Sequence, residues 1–357
     1  MDTKITIIGA GNGGKAIAGY LAFRGYDIVL YSPFESELES VEKAGGIRLQ
    51  GEIDCFGKVD LVTTSIEKAI SYADMILVVT PAFAHENIAR NIAEYLTEKK
   101  SIILIPGHFG GILSFRKVLQ ESSAGDVDIC IAETHSLPYA CRVSEEVTVH
   151  IYGIKEKIKY SMYNKRQAVV DDLSTIFPKF VLVPSILETG ISDLNPVLHP
   201  ITTILNLGKI DRKEQFKFYM DGVTPKIAMI IKKIDQERLS IAKALEISAA
   251  SIETSLKKAY RIDGDTLYDI LHNNQAYYDI WAPSTTDSRY ITEDVPYGLV
   301  PLSAFGSYLK LHTPIIDSVI VLANSLYNED FKLIGRTFER MGLDEKMGLE
   351  EMKNIGM

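Results

Sequence analysis

The sequence predicts an α/β half, built on a doubly wound parallel sheet, followed by a half that is all α-helical. Three observations carry this. Short runs rich in isoleucine, valine and leucine alternate with amphipathic stretches as far as about residue 184, the pattern of parallel strands covered by helices. Beyond Asp193, apolar residues recur at helical spacing instead. A chain of 357 residues, 46% of them hydrophobic, is long enough for two domains with separate cores.

The first run, Lys4-Ile5-Thr6-Ile7-Ile8, reads as a buried strand. Gly9-Ala10-Gly11-Asn12-Gly13-Gly14 follows at once, and then an amphipathic helix from Lys15 to about Arg24. This is a GxGxxG sequence with a strand before it and a helix after it. Gly9 permits a tight turn, Gly11 lets a pyrophosphate approach the backbone, and Gly14 lets helix and strand pack closely. The helix start adds N–H donors and a positive dipole end. A Rossmann-type dinucleotide site on Gly9, Gly11, Asn12, Gly13 and Gly14 is therefore favoured over a plain glycine-rich turn.

The second strand, Asp27-Ile28-Val29-Leu30-Tyr31, should end in Asp or Glu if it holds the ribose of NAD. It ends in Ser32-Pro33. No Arg follows to hold the 2′-phosphate of NADP, and Glu35, Glu37 and Glu39 would repel one. The cofactor is read as NAD or NADP, leaning to NAD.

Further strands are expected at Val59–Thr63, Met75–Thr80, Ser101–Ile105, Asp128–Ala132, Val147–Tyr152 and Lys179–Pro184, with helices near 84–98 and 111–120. Ligands bind at the carboxyl ends of such strands, which singles out three loops. Thr80-Pro81-Ala82-Phe83 is expected to touch the cofactor through Thr80 and Pro81. Pro106-Gly107-His108-Phe109-Gly110-Gly111 has glycines that let backbone approach a ligand. Glu133-Thr134-His135-Ser136-Leu137-Pro138-Tyr139-Ala140-Cys141-Arg142 reads equally as a solvated loop or as a substrate or cofactor contact.

The changeover is Asp193-Leu194-Asn195-Pro196-Val197-Leu198-His199-Pro200, where a cleft between two domains is expected. Either proline suits a first helical position. A helix starting here puts Asn195 and His199 on one face, near a positive terminus that would lower the histidine pKa. From spacing alone, a histidine that merely caps or packs is the plainer reading. Thr224-Pro225 opens a long helical stretch to Arg261, Thr313-Pro314 opens another over 315–327, and Asp330 opens a last one to Met341. Leu343–Met357 reads as a surface helix or tail. Between the helices, residues 281–301 form a long irregular stretch holding the single tryptophan, Trp281, with Arg289 and several carboxylates. Loops this long inside a domain are usually functional. Arg289 suits a substrate carboxylate, although a surface ion pair is the commoner fate of an arginine.

The net charge of −9, without a block of like charges, argues against nucleic acid or an anionic membrane as partner. Three cysteines without CxxC spacing, Cys55, Cys130 and Cys141, give no metal or redox motif and fit a reducing compartment. With no charged-then-apolar leader and no apolar run long enough to span a bilayer, the expectation is a soluble cytoplasmic protein.

Taken together, Gly9–Gly14, Glu133-Thr134-His135-Ser136-Leu137-Pro138-Tyr139, Asn195-Pro196-Val197-Leu198-His199-Pro200 and Arg289-Tyr290-Ile291-Thr292-Glu293-Asp294-Val295-Pro296-Tyr297-Gly298 resemble the opine dehydrogenase family, the octopine and nopaline dehydrogenases and their bacterial relatives. The resemblance runs through most of the chain. It implies a dinucleotide-binding domain over 1–185 and a helical substrate domain over 186–357, of the type seen at the C-terminus of 6-phosphogluconate dehydrogenase. It also implies reductive joining of an amino acid to a 2-oxo acid, pyruvate first among them, with a nicotinamide cofactor. In that reading His199 is the catalytic acid and base, Asp294 its partner, and Arg289 the carboxylate binder, with Asn195, Thr134 and Trp281 lining the substrate site and Ser32 at the cofactor. A homodimer is compatible with it. The rivals are a hydroxy-acid dehydrogenase or ketopantoate-reductase-like enzyme, and a cofactor sensor without turnover. Many such dehydrogenases use a lysine where this chain carries His199 with Asn195.

Overall fold

The structure, a computed structural model, describes residues 3–96, 100–145 and 147–355. The chain divides into two compact units, one running to Thr189 and the other covering Gly190–Ile355. The expected division at 185/186 lies inside the first unit.

Among the described residues the first unit contains β1 (Lys4–Ile8), β2 (Asp27–Tyr31), β3 (Gly46–Gly51), β4 (Cys55–Lys58), β5 (Leu61–Thr63), β6 (Met75–Val78), β7 (Ser101–Leu104), β8 (Cys130–Thr134), β9 (Tyr139–Glu145), β10 (Thr148–Ile154), β11 (Ile158–Tyr163) and β12 (Phe180–Leu182). An eight-stranded sheet runs in the order β12-β11-β8-β7-β6-β1-β2-β5. From β5 to β8 all neighbours are parallel. Strands β6 and β7 are buried at every position, as a sheet covered on both faces requires. The order turns back at β1, which has β2 on one side and β6 on the other. Sheets of this kind bind ligands at such a reversal.

The structure departs from the sequence reading in several places. β11 runs antiparallel to β8, so the sheet is not wholly parallel. The run expected at Val147–Tyr152 belongs to a second sheet, ordered β4-β3-β10-β9, whose strands pack on the helix Asn12–Phe23. That helix starts three residues earlier than expected. The strand expected at Asp128–Ala132 lies two residues further on. The helix expected near 84–98 spans only His85–Ala93, and positions 97 and 98 lie outside the described residues. Helices Glu35–Ala44, Ile66–Tyr72, Gln167–Ile176 and Gly111–Gln120, the last as expected near 111–120, also belong to this unit.

In the second unit Thr224 caps its helix by accepting from the Ile227 N–H at 3.3 Å, with Pro225 in the first turn. This helix ends at Ala244, and Ile252–Tyr260 is a separate one. Pro314–Tyr327 starts where its proline marks it. The expected last helix shrinks to Phe331–Ile334, because Gly335 is extended. Leu349–Lys353 is helical with Met352 buried, while Gly356 and Met357 lie outside the described residues. The stretch expected to be irregular over 281–301 is so only to Ser288. Arg289–Thr292 is a helical turn, Val295–Leu299 a π-helical one, and Val300–Tyr308 an α-helix. Among the described residues no helix is long and apolar enough to cross a membrane.

Two buried side chains, Asp235 and Arg238, and the half-buried Glu237, all on Pro225–Ala244, tie this unit together. Arg238, 1% exposed, donates from Nε and Nη2 to Asp235 Oδ1 (2.9 and 2.6 Å) and to the carbonyls of Ile191 (2.6 Å) and Ala250 (2.7 Å). Asp235 Oδ2 accepts from the Ile252 N–H at 2.9 Å. Glu237 accepts from the N–H groups of Ile315 and Ile316, both at 2.9 Å, and so caps a second helix. Removing one member of a buried pair leaves a stranded charge. Arg238→Ala should therefore destabilise the second unit by about 3–5 kcal/mol in denaturant unfolding; a loss below about 1 kcal/mol, the worth of an exposed pair, would contradict this account.

Candidate active site

His199 is the fifth residue of the helix Asn195–Leu205. The backbone N–H of Asn195 donates to Asp193 Oδ1 at 3.0 Å, which fixes the helix entry. Pro196 lies in the first turn, but Pro200 lies inside the helix rather than at its start. Its missing N–H falls one turn beyond Pro196, so the carbonyl of Pro196 gets no partner there. Asn195 and His199 share a face, four residues apart.

His199 Nδ1 donates to Asp294 Oδ2 at 2.7 Å across 95 positions of sequence. His199 Nε2 faces the hydroxyl of Tyr219 at 3.0 Å. Asp294 and Tyr219 are both buried. Burial raises the Asp294 carboxyl above the usual carboxylate range, and the His199 hydrogen bond opposes that shift. Burial also raises the Tyr219 phenol well above its ordinary range, so it stays protonated and donates. With a carboxylate on one side and a phenol on the other, the neutral ring carries its proton on Nδ1 and offers its lone pair at Nε2.

Aromatic rings enclose this group. Tyr290 stacks on the imidazole (4.1 Å between centroids, 24° between planes), and Phe218 meets it edge-on at 6.1 Å. Tyr277 stacks under Tyr219 at 4.2 Å. Tyr219, Tyr290 and Tyr277 are not marked out as site residues by the sequence. For Tyr219 the available signal was the alternating Phe216-Lys217-Phe218 before it, a short extended segment that pairs with Trp281 as an isolated bridge.

Asp294 immediately precedes the π-helical turn Val295–Leu299. This turn approaches the helix of His199 so closely that a Cβ on Gly298 would lie 2.1 Å from Pro196 Cγ. The glycine and proline of the two sequence segments are thus one contact, and it sets the distance between His199 and Asp294.

Arg289, with a side chain 64% exposed, is held at Nε by the buried carboxylate of Glu293 at 2.8 Å. Trp281 is exposed, and the Lys217 ammonium lies 4.0 Å from its ring centre. Thr134, expected at the substrate, is instead fully buried at the end of β8, its hydroxyl donating to the Ser136 carbonyl at 3.0 Å. Its neighbours are structural too. Glu133 accepts from the Ile112 N–H (2.7 Å) and the Thr189 hydroxyl (2.5 Å). His135 Nδ1 accepts from the Lys159 N–H at 3.1 Å. The connection is shorter than expected, because Glu133 and Thr134 belong to β8 and Tyr139–Arg142 to β9.

In the first unit, Gly9 has φ +111°, and its N–H donates to the Tyr31 carbonyl at 2.8 Å. A Cβ on Gly14 would lie 1.8 Å from the Gly9 oxygen, whereas one on Gly11 would meet no atom within 4 Å. Gly14 is therefore needed for packing, and Gly11 keeps an approach to the backbone open. The helix Asn12–Phe23 has no side-chain cap and no acidic residue in its first turn. Together these fit a dinucleotide pyrophosphate. A Cβ on Gly13 would crowd Leu137 at 2.9 Å. The Asn12 carboxamide oxygen accepts from the Val143 N–H at 2.8 Å, which leaves Asn12 its Nδ2 and backbone N–H donors for a cofactor. The Thr80 hydroxyl is buried and has no hydrogen-bond partner among the described residues, and Pro81 leads into the turn Ala82–Ala84. Ser32 is buried and donates to Glu37 Oε2 at 2.6 Å, so an acid does reach the end of β2.

Gly298→Val should separate the two backbones and lower kcat at least tenfold while circular dichroism shows a folded protein. An unchanged kcat would show that the His199–Asp294 distance does not depend on this contact.

Comparison with known proteins agrees with this architecture. Residues 4–123 match the model of the NAD-dependent glycerol-3-phosphate dehydrogenase N-terminus, and residues 182–327 that of the NAD/NADP octopine/nopaline dehydrogenase alpha-helical domain. The chain is 36% identical over 340 residues to an opine dehydrogenase from Arthrobacter sp. (strain 1C), covering 94% of both proteins. A solved octopine dehydrogenase with NADH and L-arginine superposes with a TM-score of 0.81 at 22% identity, over 99% of this chain and 98% of that one. An NADP+-bound yersinopine dehydrogenase gives 0.76 at 14% identity, over 99% and 97%. The chain belongs to the opine dehydrogenase family of NAD(P)-dependent oxidoreductases.

Proposed function

We propose that this protein condenses the amino group of an amino acid with a 2-oxo acid, pyruvate being the expected one, and reduces the imine to an N-(carboxyalkyl)amino acid. The observation that carries this reading is the His199 imidazole, fixed at Nδ1 by a buried carboxylate and presenting Nε2 for proton transfer. A bound nicotinamide supplies the hydride for the imine carbon.

The other steps fall to this chain. Arg289 binds the 2-oxo acid carboxylate with the guanidinium edge that Glu293 leaves over. As the neutral amine attacks the carbonyl carbon, protonated His199 gives its Nε2 proton to the developing oxyanion. The adduct nitrogen then returns its surplus proton to Nε2, and the same nitrogen passes it to the carbinolamine hydroxyl, which leaves as water. Asp294 carries the matching negative charge while the ring is positive, and Tyr290 faces that charge with its π-cloud. The Tyr219 hydroxyl occupies the position the substrate oxygen needs, so it either shares Nε2 with the substrate or gives way to it. Asn195, one turn from His199, is placed to hydrogen-bond the reacting oxygen or the nicotinamide amide.

The test is NAD(P)H oxidation with pyruvate, amino acids, and both together. Consumption should need both substrates; consumption with the oxo acid alone would identify a hydroxy-acid dehydrogenase, and none with any pair would leave a cofactor sensor. Arg289→Ala should raise KM for the oxo acid by roughly 10–150-fold, the worth of a hydrogen bond to a charged group. An unchanged KM would remove Arg289 from the site.

A further inference from the structure

We propose that Glu37, anchored by Ser32, is the acid that receives the adenosine ribose hydroxyls and makes this enzyme prefer NADH to NADPH; this rests on the cofactor reading above. In dinucleotide folds the ribose acid is ordinarily the last residue of the second strand. Here that place is held by Ser32, directly after β2 and 1% exposed. Its hydroxyl donates to Glu37 Oε2 at 2.6 Å and accepts from the Phe34 N–H at 3.2 Å. Residue 31 of the same strand end receives the Gly9 N–H, so the anchor stands beside the glycine turn. A carboxylate from the following helix thus arrives at the strand end through a hydroxyl.

The geometry leaves that carboxylate capacity to spare. A carboxylate has about four lone-pair positions, and among the described residues Glu37 Oε1 has no hydrogen-bond partner. It can accept from a ribose hydroxyl, a donor. A 2′-phosphate brings only acceptors and about −1.5 to −2 charges, which this oxygen would repel. Lys15 lies close enough to feel the same residue: burial holds its ammonium below the usual lysine range, and the Glu37 charge opposes that. Without Glu37, an unopposed Lys15 would favour a phosphate. One carboxylate therefore attracts the ribose and offsets the cation that would welcome NADPH.

Binding of NADH and of NADPH, followed by cofactor fluorescence, tests this on the full-length protein. The wild type should bind NADH roughly 10–150-fold more tightly than NADPH, the range for a hydrogen bond to a charged group. Glu37→Gln should bring the ratio to about one tenth of its value or less, with NADPH binding improving as well as NADH binding weakening. Ser32→Ala, which keeps the carboxylate and frees it, should lose part of the ratio and serves if Glu37→Gln does not fold. Glu35→Gln, in the same helical turn, should leave the ratio within about twofold. A wild type that prefers NADPH, or Glu37→Gln and Ser32→Ala variants that keep the wild-type ratio, would overturn the inference. A wild type that binds neither cofactor would instead overturn the dinucleotide reading on which it rests.

Discussion

The hydrogen bond from His199 to Asp294 is the constraint on which the helical unit depends. A buried carboxylate without a partner is expensive, and here burial pushes Asp294 towards the neutral acid. Asp193 and Glu293 add negative charge nearby and push the same way. The imidazole is what opposes them. The hydrogen bond from Nδ1 satisfies the carboxylate, and the carboxylate in turn fixes the tautomer and orientation of the ring. Each group thus fixes the other in place.

The surrounding structure serves that distance. Gly298 admits Pro196, which brings the turn after Asp294 against the first turn of the histidine helix. The N–H of Arg336 donates to the Pro196-facing turn at the carbonyl of Pro296, at 3.0 Å. Arg238 secures the chain at Ile191, just ahead of the histidine helix. Tyr290, Phe218 and Tyr219 close around the ring itself. A π-helical turn costs good α-helical hydrogen bonding and is often kept for function. Here it redirects the chain directly after Asp294.

Much of this was legible in the sequence, for physical reasons. The strand, glycine turn and helix at Lys4–Phe23 are a local pattern, and Gly9, Gly11 and Gly14 have the steric surroundings that their spacing implied. His199 and Asp294 were legible only through resemblance, since a histidine between two prolines has no distinctive periodicity. The hairpin β3–β4 was missed although Ile47 and Leu49 alternate with Arg48 and Gln50, because two short half-buried strands give a weak signal. Thr134 was misplaced because a polar run after a strand resembles an open loop, whereas Glu133 and His135 turn their polar atoms inward to backbone N–H groups. Ser32 looked like a missing acid because the acid comes from five residues further along, across a helix start. The alternation at 216–218 marks an extended segment before Tyr219, but its contact with His199 depends on a ring brought from another segment.

The most direct test of this account is a double-mutant cycle on the dyad, measured as kcat for the reductive direction across pH. If Asp294 acts by orienting and charging His199, His199→Ala and Asp294→Asn should each cost roughly 10²–10⁴ in rate. The double variant should then be little slower than the slower single one, because residues acting as a unit are not additive. Asp294→Asn should also move the alkaline limb of the pH profile to lower pH, since the imidazolium that donates the proton loses its counter-charge. Independent, multiplicative losses with an unmoved profile would show that the 2.7 Å hydrogen bond is a packing contact and not the centre of the chemistry.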